Sequence, residues 1–147
     1  MVFRTLAVAS CLCITVGGCG KGSIEGPDYG LGEEASVWIG AAVGPYAPGA
    51  YVRLAVHNRR DVSYVWNPCM RTLERRTDAG WIAVNESDRV CTAEGWLLLP
   101  DQRTAAATEL PSVIRRGEYR FHYSFWRAEG DFGVADLQAS NAFTVGR

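Results

Sequence analysis

The sequence predicts an all-β fold, an antiparallel sandwich of about seven or eight strands. Apolar and polar side chains alternate with a period of two, turn residues recur about every 8–12 residues, and no segment has a sustained 3.6-residue apolar stripe. The 147 residues are 48% hydrophobic and 21% charged, which is typical of one globular domain. Because 16 acidic residues offset 15 Lys and Arg, the net charge of -1 argues against a nucleic-acid binder.

Residues 1–18 are predicted to be a secretory leader. Arg4 gives the short N-terminal region its positive charge, an apolar stretch follows from Leu6 to Val16, and small residues end the segment. The apolar stretch of about 11 residues is well short of the roughly 20 needed to span a bilayer. It therefore predicts a signal peptide that is cleaved, and not a transmembrane helix.

The leader ends in Val16-Gly17-Gly18-Cys19, which resembles the lipobox of bacterial lipoproteins. The resemblance implies that the Cys19 thiol receives a diacylglyceryl group, that cleavage occurs before Cys19 and that the new amino group is acylated. Two or three acyl chains would anchor the protein permanently in a membrane. Since residue 20 is not aspartate, the lipoprotein rule implies the outer membrane in a Gram-negative cell. An ordinary leader that happens to end near a cysteine is the alternative.

Residues 19–34 are predicted to be a lipid-anchored flexible tether, and the folded domain is expected over residues 35–147. The tether carries few apolar side chains, and its chain-breaking residues are Gly20, Gly22, Gly26, Pro27, Gly30 and Gly32. A random coil of this length holds a domain about 20 Å from the lipid surface.

The clearest strands of the domain are residues 119–126 and 50–57. In the first, aromatic residues alternate with polar ones, and in the second Val52, Leu54 and Val56 form one apolar face. Weaker strand candidates are residues 36–43, 62–66, 70–75, 81–84, 104–110 and 142–145. The turn signals between them are Gly44-Pro45, 58–61, Asn67-Pro68, 78–80, Pro100-Asp101 and Arg116-Gly117. Residues 103–110 also have helical propensity.

Cysteine positions predict one disulfide. Removal of the leader leaves Cys69 and Cys91 as the only possible pair beside the lipidated Cys19. An exported domain favours their pairing, and closing a loop of about 22 residues would stabilise it by roughly 3 kcal/mol. A redox pair and a pair of metal ligands are the alternatives. Redox cysteines usually lie closer together, as in Cys-x-x-Cys, so the spacing favours a structural bridge.

Several segments between residues 50 and 125 together resemble a known family. They are LAVHNRRD at 54–61, YVWNPC at 64–69, LERR at 73–76, GWIAV at 80–84, LLLP at 97–100 and GEYRF at 117–121. This set is similar to the Ig-like domains of bacterial envelope lipoproteins. The resemblance implies an Ig-like sandwich with no established catalytic residues. Asp101 departs from the family's Pro-Gly turn, and Tyr119, two residues after Gly117, is expected to form a tyrosine corner.

No arrangement of residues indicates catalysis or metal binding. His57 and His122 lie on the polar sides of two strands, and their imidazoles point away from each other if those strands belong to opposite sheets. Glu33 and Glu34 are paired carboxylates, but they lie in the tether. The sequence contains no nucleophile elbow, zinc-binding helix motif or phosphate loop. We therefore expect a protein that is not an enzyme and holds no cofactor or metal.

The segment from Trp126 to Ser140 is predicted to be a long loop. Tryptophan and arginine are frequent in binding hot spots, and the end loops of sandwiches often contact ligands. Trp126, Arg127 and Phe132 are therefore the candidate binding residues. Alternatively, the tryptophan covers the end of the sandwich and the phenylalanine packs in the core.

These features together predict a lipid-anchored protein of the bacterial envelope that acts by binding. Its partners would be the membrane, through Cys19, and either another envelope protein or a cell-surface polymer, but no nucleic acid. A protease inhibitor of sandwich fold and a structural envelope spacer are the alternatives. A hydrolase would require a strongly perturbed pKa in a cleft.

Overall fold

The computed structural model describes residues 36–86, 89–130 and 133–146. Within these ranges the regular structure is entirely β, and no helix is long and apolar enough to cross a membrane. The strands are β1 Val37–Ala41, β2 Tyr51–Asn58, β3 Tyr64–Thr77, β4 Gly80–Ala83, β5 Trp96–Leu98, β6 Arg103–Glu109, β7 Gly117–Arg127, β8 Asp136–Ala139 and β9 Phe143–Val145.

Two antiparallel sheets enclose one core, which confirms the predicted Ig-like sandwich. The first sheet has the order β1-β2-β6. The second has the order β4-β3-β7-β8, with β5 also paired to β3 and β9 also paired to β7. In the Ig-like arrangement strands A, B and E share one sheet and strands C, F and G the other. The strands here follow that distribution, with β3 as strand C and β7 as strand F.

The first sheet contributes aliphatic side chains to the core, and the second contributes mainly aromatic ones, together with Leu73, Leu98 and Val145. The buried aliphatic residues of β1 and β2 are Val37, Ile39, Ala41, Val52, Leu54 and Val56. The buried rings of the second sheet are Tyr64, Trp66, Tyr119, Phe121, Tyr123, Phe125 and Phe143. Trp66 stacks on Phe125 with centroids 5.5 Å apart. The alternation predicted for residues 50–57 and 119–126 is confirmed by these two rows.

Strand β3 is continuous where the sequence predicted two strands with a turn at Asn67-Pro68. Between Trp66 and Arg71 the strand takes five residue steps, while its partner β7 takes only two. The extra residues form a bulge, in which a proline is tolerated because its missing N–H removes no ladder bond. A locally strong turn signal therefore marks an irregularity within one strand.

A side chain and a disulfide hold this bulge in place. The Asn67 Oδ1 accepts a hydrogen bond from the Cys69 N–H at 2.8 Å, and the Asn67 Nδ2 donates to the Thr92 carbonyl at 2.7 Å. Cys69 is bonded to Cys91, with Cα atoms 5.6 Å apart, which confirms the predicted bridge. The disulfide thus fastens the segment between β4 and β5 to the middle of β3.

The tight turn before β6 contains Asp101, which departs from the Pro-Gly turn of the domains that the sequence resembles. The Gln102 N–H donates to the Leu99 carbonyl at 3.1 Å, and Asp101 has φ of 53°. Proline at the second position and a left-handed residue at the third resemble a type II turn, which favours glycine there. Asp101 tolerates this conformation better than most residues do. Its carboxylate lies 2.9 Å from the His57 Nε2.

The predicted tyrosine corner is present at the start of β7. The Tyr119 hydroxyl donates to the Arg115 carbonyl at 2.6 Å, and the ring is 1% exposed. In Ig domains the second cysteine of the inter-sheet disulfide follows this tyrosine by two residues. Phe121 occupies that place here, so an aromatic ring packs where that disulfide would lie.

We predict that Tyr119→Phe lowers the free energy of unfolding by about 1 kcal/mol, because the Arg115 carbonyl loses its hydroxyl donor while the ring stays packed. Urea unfolding followed by tryptophan fluorescence measures the change. Tyr51→Phe is the matched control, since the Tyr51 hydroxyl donates to Glu109 Oε2 on the exposed surface at 3.2 Å. Equal midpoints for Tyr119→Phe and the wild type would contradict a stabilising corner.

Candidate functional site

The predicted site residues fall in different parts of the chain. Cys19 and Phe132 lie outside the described residues. Trp126 and Arg127 are the last two residues of β7. The loop is shorter than predicted, because β7 continues to Arg127 and β8 covers Asp136–Ala139, which leaves residues 128–135 as the connection. Trp126 is therefore held on a strand and not on a loop.

Trp126 lies on the outer face of the second sheet, within a row of apolar side chains. Its register partner on the neighbouring strand β3 is Val65. The register partner of Val65 on β5 is Leu97. On the other side Leu137 of β8 pairs with Ser124, the preceding outward residue of β7. We call Val65, Leu97, Trp126 and Leu137 the apolar row. Leu97 is 55% exposed and Leu137 66% exposed.

The opposite end of the same outer face carries a charged cluster. The Arg120 guanidinium lies 4.5 Å from the ring centroid of Trp81, and Arg76 lies 5.7 Å from it. The Arg120 Nε donates to Glu74 Oε2 at 2.6 Å, and the His122 Nε2 lies 3.8 Å from the same oxygen. We call these five residues the arginine–tryptophan cluster. Its cations are largely occupied by ring and carboxylate contacts within the cluster.

The two histidines belong to opposite sheets. His57 lies on β2 of the first sheet and His122 on β7 of the second. Hydrogen bonding and the charge of His57 hold the pKa of the Asp101 carboxyl below its usual value. Over the described ranges no three His, Cys, Asp or Glu side chains are grouped so that they could hold a metal ion.

An open concavity of about 380 Å³ lies beside the end of β7. Its lining residues are Arg127, Glu129, Gly130, Val134 and Asp136. The Asp136 Oδ2 accepts a hydrogen bond from the Tyr64 hydroxyl at 2.8 Å, and burial together with this carboxylate raises the pKa of Tyr64. Because Tyr64 is a core residue, this hydrogen bond holds the first residue of β8, Asp136, against the core.

A buried arginine that sequence reasoning missed joins the two sheets. The Arg71 guanidinium donates to the Thr108 hydroxyl, to Glu86 Oε2 and to the Glu109 carbonyl, each at 2.6 Å. It also lies 4.6 Å from the ring centroid of Phe121. Burial lowers the pKa of Arg71, and the Glu86 carboxylate opposes that shift. The side chain is fully enclosed and its donors have partners, so its role is structural.

We predict that Arg71→Met lowers the free energy of unfolding by about 3–5 kcal/mol, because it leaves the Glu86 carboxylate, 12% exposed, without its closest cation. Arg76→Met is the matched control on the same strand. The Arg76 side chain is 60% exposed and lies 3.6 Å from Glu118, an ion pair worth about 0–1 kcal/mol. Urea midpoints measure both changes, and similar values for the two variants would refute the structural role of Arg71.

Comparison with known proteins gives distant structural similarities only. No family model matches the sequence, and a search of curated proteins found no match. The chain is similar to the ASH/PapD-like domain of human CEP192 (PapD-like domain 7), with 13% identity over 97% of both chains and a TM-score of 0.40. It is also similar to a β-glucosidase from Listeria innocua in complex with gluconolactone, with 14% identity over 78% of this chain and 16% of that chain and a TM-score of 0.37.

Proposed function

We propose that this protein is a lipid-anchored module of the bacterial envelope, without catalytic activity, that binds an envelope protein or a surface polymer through the outer face of its second sheet. The apolar row around Trp126 carries the proposal. The lipobox ending at Cys19 supports the anchor. The Cys69–Cys91 disulfide supports export, because structural disulfides persist in oxidising compartments.

The apolar row has the character of a contact surface. Outward faces of antiparallel sheets that meet water are usually polar. Here Leu97 of β5, Val65 of β3 and Trp126 of β7 are direct register partners across three strands. Leu137 of β8 lies opposite Ser124 and therefore diagonally beside Trp126. Contiguous exposed apolar patches mark interaction sites, and tryptophan is enriched among the residues that dominate binding energy.

Charged side chains border the apolar row at the end of β7. Arg127 and Asp136 pair in register with the core residues Tyr64 and Phe125, and together with Glu129 they line the concavity at the end of the sheet, next to the outer face that carries Trp126. An apolar centre with a polar, charged rim is the usual composition of a protein–protein interface. Among the two partner classes, this composition favours an envelope protein over a carbohydrate polymer.

We predict that Trp126→Ser weakens binding to isolated cell envelopes by at least about tenfold, because a central tryptophan typically contributes more than 1.4 kcal/mol. Leu97→Ser and Leu137→Ser should weaken binding by smaller factors. Binding is measured by co-sedimentation of the purified protein with envelopes from cells that lack it. Protease-treated envelopes distinguish the partner classes, since a protein partner is lost and a polymer remains.

Val113→Ser is the matched control, because Val113 is 92% exposed in the segment that precedes the opposite end of β7. Urea midpoints of Leu97→Ser, Leu137→Ser and Val113→Ser should stay close to the wild-type value, since these three side chains are exposed. Trp126 is half-buried, so the urea transition of Trp126→Ser must show a folded protein at the assay temperature before its binding is compared. If the three variants of the apolar row bound envelopes as the wild type does, the proposal would fail. A spacer or an inhibitor would then be the better description, and a protease panel separates these two.

A further inference from the structure

Strand β6 is the longest edge strand in the described part of the chain. It pairs with β2 on one side only, from Arg103 to Glu109. The Asn58 N–H donates to the Gln102 carbonyl, and the Leu110 N–H donates to the Ala50 carbonyl. Backbone groups of the even-numbered residues therefore face β2. Those of the odd-numbered residues face away from it.

The other edges of the sandwich are blocked or broken. At the edge of β1, the Asn141 Oδ1 accepts the Ala41 N–H at 2.6 Å and the Asn141 Nδ2 donates to the Ala41 carbonyl at 3.0 Å. Each edge of the second sheet is divided into two short strands, β4 and β5 on one side and β8 and β9 on the other. Short strands and capped groups are the usual protection against pairing with another chain.

Among the described residues, strand β6 is protected at one end only, where the Arg71 Nη2 donates to the outward-facing Glu109 carbonyl. Its register with β2 continues without a bulge from Arg103 to Glu109, and it contains neither lysine nor proline. Ala105 and Ala107 are exposed, and their small side chains leave the backbone of the edge open. A regular, uncovered edge without a charge at its centre is a template for another strand.

The sequence of β6 identifies the strand that it fits. Read from residue 103 to 109 it is RTAAATE, in which the central TAAAT is the same in both directions. We infer that β6 pairs antiparallel with β6 of a second copy, about a two-fold axis at Ala106. Arg103 of each copy then lies opposite Glu109 of the other, so the only two charges of the strand attract each other across the interface.

The hydrogen-bonding pattern agrees with this register. In the pairing about Ala106, odd-numbered residues lie opposite odd-numbered residues, namely 103 opposite 109 and 105 opposite 107. These are the residues whose N–H and C=O groups face away from β2, so each pair can exchange two backbone hydrogen bonds. The two three-stranded sheets then become one six-stranded sheet. Such an isologous two-fold interface is the commonest kind in oligomers.

Two contacts position Glu109 for this pairing. The Tyr51 hydroxyl donates to Glu109 Oε2 at 3.2 Å, which holds the carboxylate on the outer face of the first sheet. The Arg71 Nη2 donates to the Glu109 carbonyl at 2.6 Å, and a carbonyl oxygen has a second lone pair for the partner strand. The inference does not rest on the proposed function, because the apolar row lies on the other sheet.

Cysteine cross-linking of the full-length chain in bacterial membranes tests the inference. We expect Ala106→Cys to give a covalent dimer on a non-reducing gel under mild oxidation, because the two axial residues face each other with Cα atoms about 4.5 Å apart. Ala55→Cys is the matched control. Ala55 is exposed on the outer face of the first sheet, as are Ala105 and Ala107, but its strand, β2, has neighbours on both sides, so it should give no dimer.

Charge reversal tests the register. In the Ala106→Cys chain, Arg103→Glu should lower the dimer yield several-fold, and adding Glu109→Arg should restore it. A thiol at position 106 could disturb the core, so a second reporter combines Ala105→Cys with Ala107→Cys. Both residues are exposed, and residue 105 of one copy lies opposite residue 107 of the other, so these cysteines should also cross-link the two copies. Equal cross-linking of the Ala106→Cys and Ala55→Cys variants, a yield insensitive to charge reversal, or cross-linking of the Ala106→Cys chain to a different protein would each overturn the inference.

Discussion

The bulge in the middle of β3 determines which of its side chains face the core. If the alternation that begins at Trp66 continued unbroken, Met70 and Thr72 would be buried and Arg71 would face water. The extra residues reverse the phase, so Leu73 enters the core and the Arg71 guanidinium reaches across to the first sheet. The amide of Asn67 and the Cys69–Cys91 disulfide fix the bulge, and the inter-sheet contacts of Arg71 depend on them.

The same strand also connects the two ends of the outer face. Before the bulge, Val65 contributes to the apolar row; after it, Glu74 and Arg76 contribute to the arginine–tryptophan cluster. The apolar row lies on the second sheet and the open edge of β6 on the first. Partner binding through one and self-association through the other would therefore use separate surfaces. A two-fold pair of these domains would present two copies of the apolar row.

The sequence predicted those features that depend on neighbouring residues along the chain. The rows on β2 and β7 follow from their period of two, and the tyrosine corner follows from Gly117-x-Tyr119. Features that depend on strand pairing were missed. Asn67-Pro68 was interpreted as a turn because continuity of β3 comes from its pairing with β7, and residues 136–139 form β8 only because β7 lies beside them. Trp126 was identified as a candidate by its residue type. That Val65 and Leu97 lie beside it becomes visible only in the pairing register of β5, β3 and β7.

The intact mass of the protein purified from membranes, measured after alkylation with and without prior reduction, tests the central claim of a lipid-anchored, exported domain. The account predicts the mass of residues 19–147 plus a diacylglyceryl group, with or without an additional N-acyl chain. It predicts no alkylation before reduction and two alkylated thiols, Cys69 and Cys91, after it. A chain that begins before Cys19 and carries no lipid, or thiols that react without reduction, would contradict the account.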